Sequence, residues 1–530
     1  MKHSLQKNII FLLLFTVVYF TSFNSIKASP LNVSPVRILF IGNSSTYYNN
    51  MPLMIKGLAN ADGIEVEVET VTASNYKLSQ FAADGNLYNT KIKQLLSEKK
   101  FDYVILQDHR ASIIENMETS KDAVSVLKEL IQQYGAETIL YETQADYTGK
   151  DFTIDGTLTF LDHTTLQYYM TKNYYFIGNL FNCTVSTAGV NYTRCMTLYP
   201  EINLYHSDLH HPSIEGSYLA ACTLYQSIFS KSAYNNHFLP GSEFDTDELL
   251  TKLEYDTAKK LQAISDDTLK LSSTTITVNK GKSQNLSAFL QYTPENPLMH
   301  LFTNKIEYYS LDGEKAAVNR NTGNVTGLRT GDTMIMATTD SGLMSMCSVS
   351  IKQPSIAFTI AEGTTYLHRK DTQTYTTSLS PSDTTDAISW ISSKPTIVSV
   401  DANGKITAKK IGTATITATT DSGITLKRSV RVKLVTPTKV KVKKLSTNAK
   451  SKKYANIKIS WKKNTNAVKY YIYRSTKKGS GYKKIATTTT AAYTDKNKKK
   501  GRTFYYKIRS IYSNTKCNSY RTKGYKIKVS

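Results

Sequence analysis

The sequence predicts an α/β domain, a three-layer α/β/α sandwich around a parallel sheet, followed by three all-β sandwich domains. Three observations carry this expectation. Between Val36 and Ser230 short apolar runs alternate with helical patterns, which implies β–α units on a parallel sheet. After Leu269 the texture changes to Ser, Thr, Val and Ile with turn residues, and Ala337-Thr-Thr-Asp-Ser-Gly342 recurs as Ala418-Thr-Thr-Asp-Ser-Gly423. From about Pro437 basic residues alternate with apolar ones, as strands with one solvated face require. A chain of 530 residues is also too long for one ordinary domain.

The chain opens with the basic Met1-Lys-His-Ser-Leu-Gln-Lys7, an apolar run from Ile9 to Phe20, and small residues ending near Ala28-Ser29. This reads as a secretory signal peptide over residues 1–28. The run is short for a membrane span, no cysteine follows it as a lipid attachment site, and no sortase-type Leu-Pro-x-Thr-Gly is present. The expectation is a secreted, extracellular or cell-wall-associated protein with no transmembrane anchor.

Within residues 35–232 the first strand is marked by Val36 and Ile38 to Ile41, apolar with little alternation, as in a strand buried on both faces. It breaks at Gly42-Asn43 and delivers Ser44 before the helical pattern Met51 to Asn60, whose Pro52 suits a first turn. Further strands fall at Val66–Val71, Tyr103–Leu106 and Thr138–Tyr141, and helices at Thr119–Tyr134 and Glu215–Phe229. A serine at that first strand-to-helix junction sits at the carboxyl edge of the sheet, where open α/β folds place ligands. Its partner is sought in Leu204-Tyr-His-Ser-Asp-Leu-His-His-Pro-Ser213. On one tight turn Asp208 can hold Nδ1–H of His211 and leave Nε2 for a serine, which is the logic of a Ser-His-Asp triad. His206 and His210 compete with His211, but the step from Asp208 favours His211. The same cluster has an alternative reading as a metal site; that reading leaves the serine turn unexplained. No metal or organic cofactor is implied.

Gly42-Asn43-Ser44-Ser45 paired with Asp208-x-x-His211-Pro212 resembles the SGNH (GDSL-like) hydrolases. The resemblance is to a subgroup whose first block reads Gly-Asn-Ser, and Asp102-Tyr-Val-Ile-Leu-Gln107 and His211-Pro-Ser-x-x-Gly-Ser-Tyr-Leu-Ala-Ala-Cys222 match it too. It implies Ser44 as nucleophile, His211 as base and Asp208 as the group that orients it. It also implies an oxyanion hole built from the N–H of Ser44, a glycine in a second block and an asparagine in a third. Here the second block falls near Thr72-Ala-Ser-Asn-Tyr-Lys-Leu-Ser79, which has no glycine and leaves the N–H of Ser74 or Asn75 to serve. In the third, Gln107-Asp108-His109 stands where Gly-x-Asn-Asp is expected, and the Gln107 amide is the candidate donor. Asp108 and His109 are given no catalytic role. Asn43 is placed to order the nucleophile loop.

Residues 233–268 read as a helical linker, acidic from Glu243 to Asp267, with Leu249, Leu250, Leu253 and Leu261 available for a buried face. Residues 269–353 and 354–435 form two repeats. An offset of 81 relates Gly323 to Gly404 and Gly331 to Gly412. Both resemble bacterial Ig-like group 2 domains, most clearly in Ile388-Ser-Trp390, Val400-Asp-Ala-Asn-Gly-Lys-Ile406 and Gly412-Thr-Ala-Thr-Ile416, with Trp390 as a core residue. Residues 437–530, with Ile457-Lys-Ile-Ser-Trp461, Tyr470-Tyr-Ile-Tyr-Arg474 and Phe504-Tyr-Tyr-Lys-Ile-Arg509, resemble a fibronectin type III domain. Five cysteines are too few for a disulfide scaffold. Cys183 and Cys195 are the candidates for a pair, while Cys222, Cys347 and Cys517 suit core packing.

The net charge of +24 is confined to one end. Residues 437–530 hold 28 Lys and Arg against one acid, Asp495, whereas the preceding residues hold 38 basic against 41 acidic groups. Such a field attracts polyanions. Together with the signal peptide it points to an anionic cell-wall polymer, wall teichoic acid among them, and not to nucleic acid. The sequence thus predicts a secreted serine esterase that removes acyl groups, acetyl first among them, from an acylated carbohydrate. The alternative is a non-catalytic surface-binding or adhesion protein with a degenerate hydrolase domain.

Overall fold

The computed structural model describes residues 34–241, 252–361, 363, 366–445 and 453–530. The signal peptide and the leucines Leu249 and Leu250 lie outside the described residues. Among those that are described, no helix is long and apolar enough to cross a membrane.

The first apolar run forms strand β1, Val36–Gly42. It is followed by β2 Val66–Thr72, β3 Tyr103–Leu106, β4 Glu137–Glu142, the hairpin β5 Lys150–Ile154 and β6 Thr157–Leu161, and β7 Thr184–Thr187. Five of these make one sheet in the order β2-β1-β3-β4-β7, and every pairing in it is parallel. The order reverses direction at β1, so the first strand lies between its two successors and its carboxyl end opens onto the crevice typical of such folds.

The side chains of β1 explain the three layers. Ile38 and Phe40 point to one face, where they join Met54, Ile55 and Leu58 of the helix Met51–Ala61 and Leu219 and Leu224 of the helix Ile214–Phe229. Leu39 and Ile41 point to the other, against Phe81, Ile92, Leu127 and Met170 from four further helices. Because strand side chains alternate, an uninterrupted apolar run requires cover on both faces. Short polar side chains set the helix starts. Asn116, Asp162 and Ser213 are N-caps whose side-chain oxygens accept from Thr119, Thr165 and Gly216 N–H respectively.

The acidic linker is a helix over Tyr255–Asp266, and its Leu261, with Leu253 before it, is buried in the first core. All five cysteines are free, and the candidate pair Cys183 and Cys195 is not bonded. Cys195 is fully buried on the helix Ala188–Leu198, where desolvation pushes its thiol up to about 12. Cys183 instead directs Sγ to the carbonyl of Phe181 at 3.8 Å.

The β region repeats strand for strand. One four-stranded sheet pairs Ile306–Ser310, Gly331–Thr339, Met344–Lys352 and Thr275–Asn279; its counterpart pairs Ile388–Ser392, Gly412–Thr420, Thr425–Lys433 and Tyr366–His368. The repeated glycines have a common physical reason. Gly323 and Gly404 hold φ of +69° and +72°, and a Cβ on either would strike the ring of Tyr308 or Trp390, at 2.7 Å in both cases. Trp390 stacks on Tyr375 and packs against the buried core of its unit. A further pair of sheets follows, three-stranded over Lys441–Leu445, Tyr454–Ser460 and Ala492–Lys499, and four-stranded over Lys483–Thr488, Lys469–Ser475, Thr503–Ile511 and Tyr525–Lys528.

The α/β body and the first β unit share a buried ion pair. Arg194 Nη2 donates to Asp267 Oδ2 at 2.9 Å, Nη1 to the carbonyl of Ile264 at 2.7 Å, and Nε to the carbonyl of Ser341 at 3.0 Å. Desolvation still pushes the Asp267 carboxyl up to about 6, with Arg194 opposing it. Removing the cation leaves a buried carboxylate without its partner. Arg194→Met is therefore expected to lose about 3–5 kcal/mol in urea unfolding, and Arg194→Met/Asp267→Asn to lose less, which a double-mutant comparison measures.

Candidate active site

The strand β1 ends at Gly42 because nothing larger fits. A Cβ there would lie 2.4 Å from Thr46 Oγ1 and 2.6 Å from Gln107 Oε1. Asn43 follows in extended conformation as the N-cap of a helical turn, Ser44–Tyr47, and its Oδ1 accepts from Ser45 N–H at 3.1 Å. Its Nδ2 donates to the carbonyl of Tyr76 at 3.0 Å, which ties the loop after β2 to the serine turn. Ser44 is the first residue of the turn, so its own N–H has no intrahelical acceptor.

The facing loop runs from Tyr205 to Pro212, residues that bridge each other in antiparallel fashion, and Leu209 within it takes a left-handed φ of +57°. Asp208 holds this loop from inside. Its Oδ1 accepts from His210 N–H at 3.0 Å and His211 N–H at 2.9 Å, and its Oδ2 accepts from His211 Nδ1 at 2.7 Å. With Nδ1 carrying the proton, Nε2 is left to accept, and it lies 2.9 Å from Ser44 Oγ. Partial desolvation opposes ionisation of Asp208, but the hydrogen bonds from the His211 ring and from the two backbone N–H groups outweigh it and hold the carboxyl well below the usual carboxylate range.

Two residues of the polar loop after Ser44 complete the clamp. The Tyr48 ring stacks on His211 with centroids 4.5 Å apart and planes 9° apart. Asn49, at φ +53°, donates through Nδ2 to the carbonyls of Pro212 and Ser213 at 3.0 and 2.9 Å. The imidazole and the segment that carries it are thus also held from the serine loop.

Beside this line of three residues lies a pocket of roughly 100 Å³, bordered by Ser74, Asn75, His109, Arg110 and His210. Asn75 adopts φ +60°, a conformation asparagine tolerates better than most residues. Arg110 is almost fully buried. Its Nε lies 3.4 Å from Asp146 Oδ2 and its Nη1 donates to the carbonyl of Gln144 at 3.0 Å. The His210 ring sits between the Asp146 carboxylate and the Arg110 guanidinium, with Nδ1 on Asp146. Burial, with Arg110 next to it, depresses His109 to about 4, so that ring is neutral near pH 7; its Nδ1 accepts from Ala111 N–H at 3.2 Å.

The structure brings Ser44, His211 and Asp208 together, and it puts Ser74 and Asn75 on the pocket wall. Gln107 is a correction. Its side chain is buried under the serine turn, where Oε1 accepts from Asn43 N–H at 2.8 Å and from Thr46 Oγ1 at 2.9 Å, and its Nε2 turns to the carbonyl of Asp108. It braces the turn and does not face the pocket. Asp108 is likewise internal, accepting from Leu78 N–H at 2.6 Å and Ser120 Oγ at 2.6 Å. The histidines of the cluster diverge: His210 turns to Asp146, His211 to Ser44, and His206 Nδ1 stands 3.8 Å from Asp208. Among the described residues no group of three His, Cys, Asp or Glu is placed to hold a metal ion. The sequence reading missed Tyr48, Arg110 and Asp146. Arg110 directly follows the third block, which was the one available signal.

Two stretches of the chain, 267–346 and 355–432, match the bacterial Ig-like domain (group 2) family. Two uncharacterized proteins of Clostridium acetobutylicum are similar: one is 30% identical over 181 residues, 33% of this chain and 18% of its own length, the other 32% identical over 183 residues, 31% of this chain and 46% of its own. The chain therefore spans less than half the length of the curated relatives it matches. Among solved structures, a protein of Slackia heliotrinireducens described as a candidate SGNH hydrolase aligns at 21% identity over 37% of this chain and 100% of its own, with a TM-score of 0.32. A DUF4886 family protein from Bacteroides uniformis aligns at 15% identity over 44% of this chain and 93% of its own, with a TM-score of 0.36. An Fn3-like protein from Clostridium thermocellum aligns at 22% identity over 17% of this chain and 88% of its own, with a TM-score of 0.15.

The bracing role of Gln107 has a measurable consequence. Gln107→Leu strands two buried donors, Asn43 N–H and Thr46 Oγ1, and is expected to cost about 1–3 kcal/mol in urea unfolding. A residue that served only to hold an oxyanion would leave stability unchanged.

Proposed function

We propose that the N-terminal domain is a serine esterase of the SGNH type that removes small acyl groups, acetyl first among them, from carbohydrate. The observation that carries this reading is the unbroken line from Ser44 Oγ to His211 Nε2 at 2.9 Å and from His211 Nδ1 to Asp208 Oδ2 at 2.7 Å. A serine hydroxyl is a weak nucleophile until a positioned base takes its proton. As Ser44 Oγ bonds to the ester carbonyl carbon, His211 Nε2 receives the hydroxyl proton. The resulting oxyanion is met by the N–H of Ser44 and by backbone N–H at Ser74 or Asn75. Collapse of this intermediate breaks the bond to the sugar oxygen, which leaves with the proton from His211. Water then repeats the sequence against the acyl-serine and restores Ser44.

Pocket size supports a short acyl group. The pocket of roughly 100 Å³ beside Ser44 is of a size with a small acyl group such as acetyl. Secretion and residence at the cell wall are part of the same proposal, with the basic terminal unit as a non-covalent tether to an anionic polymer. The turned-away amide of Gln107 favours a second reading, a binding protein without turnover, because it removes one expected oxyanion donor.

Hydrolysis of p-nitrophenyl acetate and of acetylated xylan by the purified chain decides between the two. We expect activity that falls by at least ~10³-fold in Ser44→Ala at equal folded content. Asp208→Asn, which leaves the imidazole in the wrong tautomer, is expected to lose about 10²–10⁴-fold in kcat. Equal rates in all three chains, or none on either ester, would leave the binding reading.

A further inference from the structure

The positive charge of the terminal unit meets no acid at its surface. Its single acid, Asp495, is buried, where it accepts from Arg474 Nη1 at 2.7 Å and from Tyr506 Oη at 2.7 Å, with Lys498 Nζ at 3.3 Å. No side-chain carboxylate is therefore left on the surface of residues 437–530 to offset the cations.

The cations are also not evenly distributed with respect to aromatic rings. In the four-stranded sheet, Tyr470, Ile472, Phe504, Tyr506 and Ile508 face the core. Strand alternation puts Tyr471, Tyr505, Lys507 and Arg509 on the outer face, with Tyr471 opposite Arg509 in the register. Lys484 Nζ lies 4.5 Å from the Tyr471 ring centre, Lys507 Nζ 4.4 Å from that of Tyr482, and Arg521 covers Tyr473 at 4.0 Å. Tyr471, Tyr482 and Tyr505 are each only half-buried. The outer face of this sheet thus carries phenol rings and cations side by side.

We propose that this outer face is a binding surface for an acidic polysaccharide. The part of each ring that reaches solvent offers apolar contact to the faces of sugar rings, and the interleaved ammonium and guanidinium groups neutralise carboxylates carried on those sugars. A polyanion without sugar rings uses only half of this arrangement. The surface localises the tether proposed above, and it rests on the terminal unit alone, independent of the chemistry at Ser44.

The test is equilibrium binding of the full chain to polygalacturonate, beside dextran as an uncharged glycan, poly-glutamate as a polyanion without sugar, and phosphatidylglycerol vesicles. Binding to polygalacturonate is expected to exceed that to each of the others by tenfold or more at 0.15 M salt. Tyr471→Thr/Tyr505→Thr keeps the net charge and strand propensity, and is expected to weaken binding about tenfold. Lys484→Gln/Lys507→Gln should weaken it to a similar degree, whereas Lys443→Gln/Lys458→Gln, which removes equal charge from the other sheet, should change it by less than threefold. Thermal unfolding of each variant checks that the unit still folds. The proposal is overturned if both lysine pairs have equal effects, if the tyrosine pair has none, or if poly-glutamate or the vesicles bind as tightly. Because the readout is binding, a chain inactive on esters leaves the result intact.

Discussion

The Asp208 carboxylate is the contact on which the arrangement at Ser44 depends, because it acts on a backbone and a side chain at once. One oxygen gathers the N–H groups of His210 and His211; the other fixes the imidazole. The side chain is 41% exposed, so direct Coulomb attraction to the ring is screened and worth little by itself. Geometry therefore has to come from the backbone bonds, which shape the loop that presents His211. They act together with the bonds from His206 N–H to the His211 carbonyl at 2.8 Å and from Leu209 N–H to the His206 carbonyl at 2.9 Å, which close the segment between Tyr205 and Pro212.

The opposite side of the site is built by burial instead of charge. Gly42 lets the chain turn directly under Thr46 and Gln107, and the Gln107 oxygen satisfies two donors that the turn would otherwise bury unpaired. Asn43 then links the turn to the loop after β2. A second network, Arg110 with Asp146 and His210, grips the histidine loop at the neighbouring residue and makes the far wall of the pocket. Three loops at the carboxyl edge of the sheet are thereby fixed to one another, as chemistry at the sub-ångström level requires.

The residues that met at the site were legible because each lay in a short block with its own local reason: a strand ending in glycine, and a carboxylate one tight turn before a histidine. Strands β1, β3 and β4 were equally plain, since a buried parallel strand writes itself as an apolar run. Strand β7 was not, because Thr184-Val-Ser-Thr187 has one apolar residue and is defined by its pairing with β4. The direction of the Gln107 amide was also invisible. It depends on partners that lie across the sheet at Asn43 and Thr46, which sequence spacing does not reveal. Asp146 was hidden for the same reason, being the partner of Arg110 and His210 from a separate loop.

The excess positive charge lies in residues 437–530 and not in the α/β domain. Salt screens exposed charges over about 8 Å under physiological conditions, so the field of residues 437–530 is felt close to that unit's own surface. The terminal unit can hold an excess of cations as large as its fold tolerates. That tolerance comes from the interior. Arg474, Tyr506 and Asp495 form a buried polar contact between the two sheets, so the one acid of the unit is used where it secures the fold and withdrawn from the surface where it would dilute the field. On the outer face of the four-stranded sheet Tyr471 and Tyr505 stand among Lys484, Lys507 and Arg509, so this field has a shape as well as a sign.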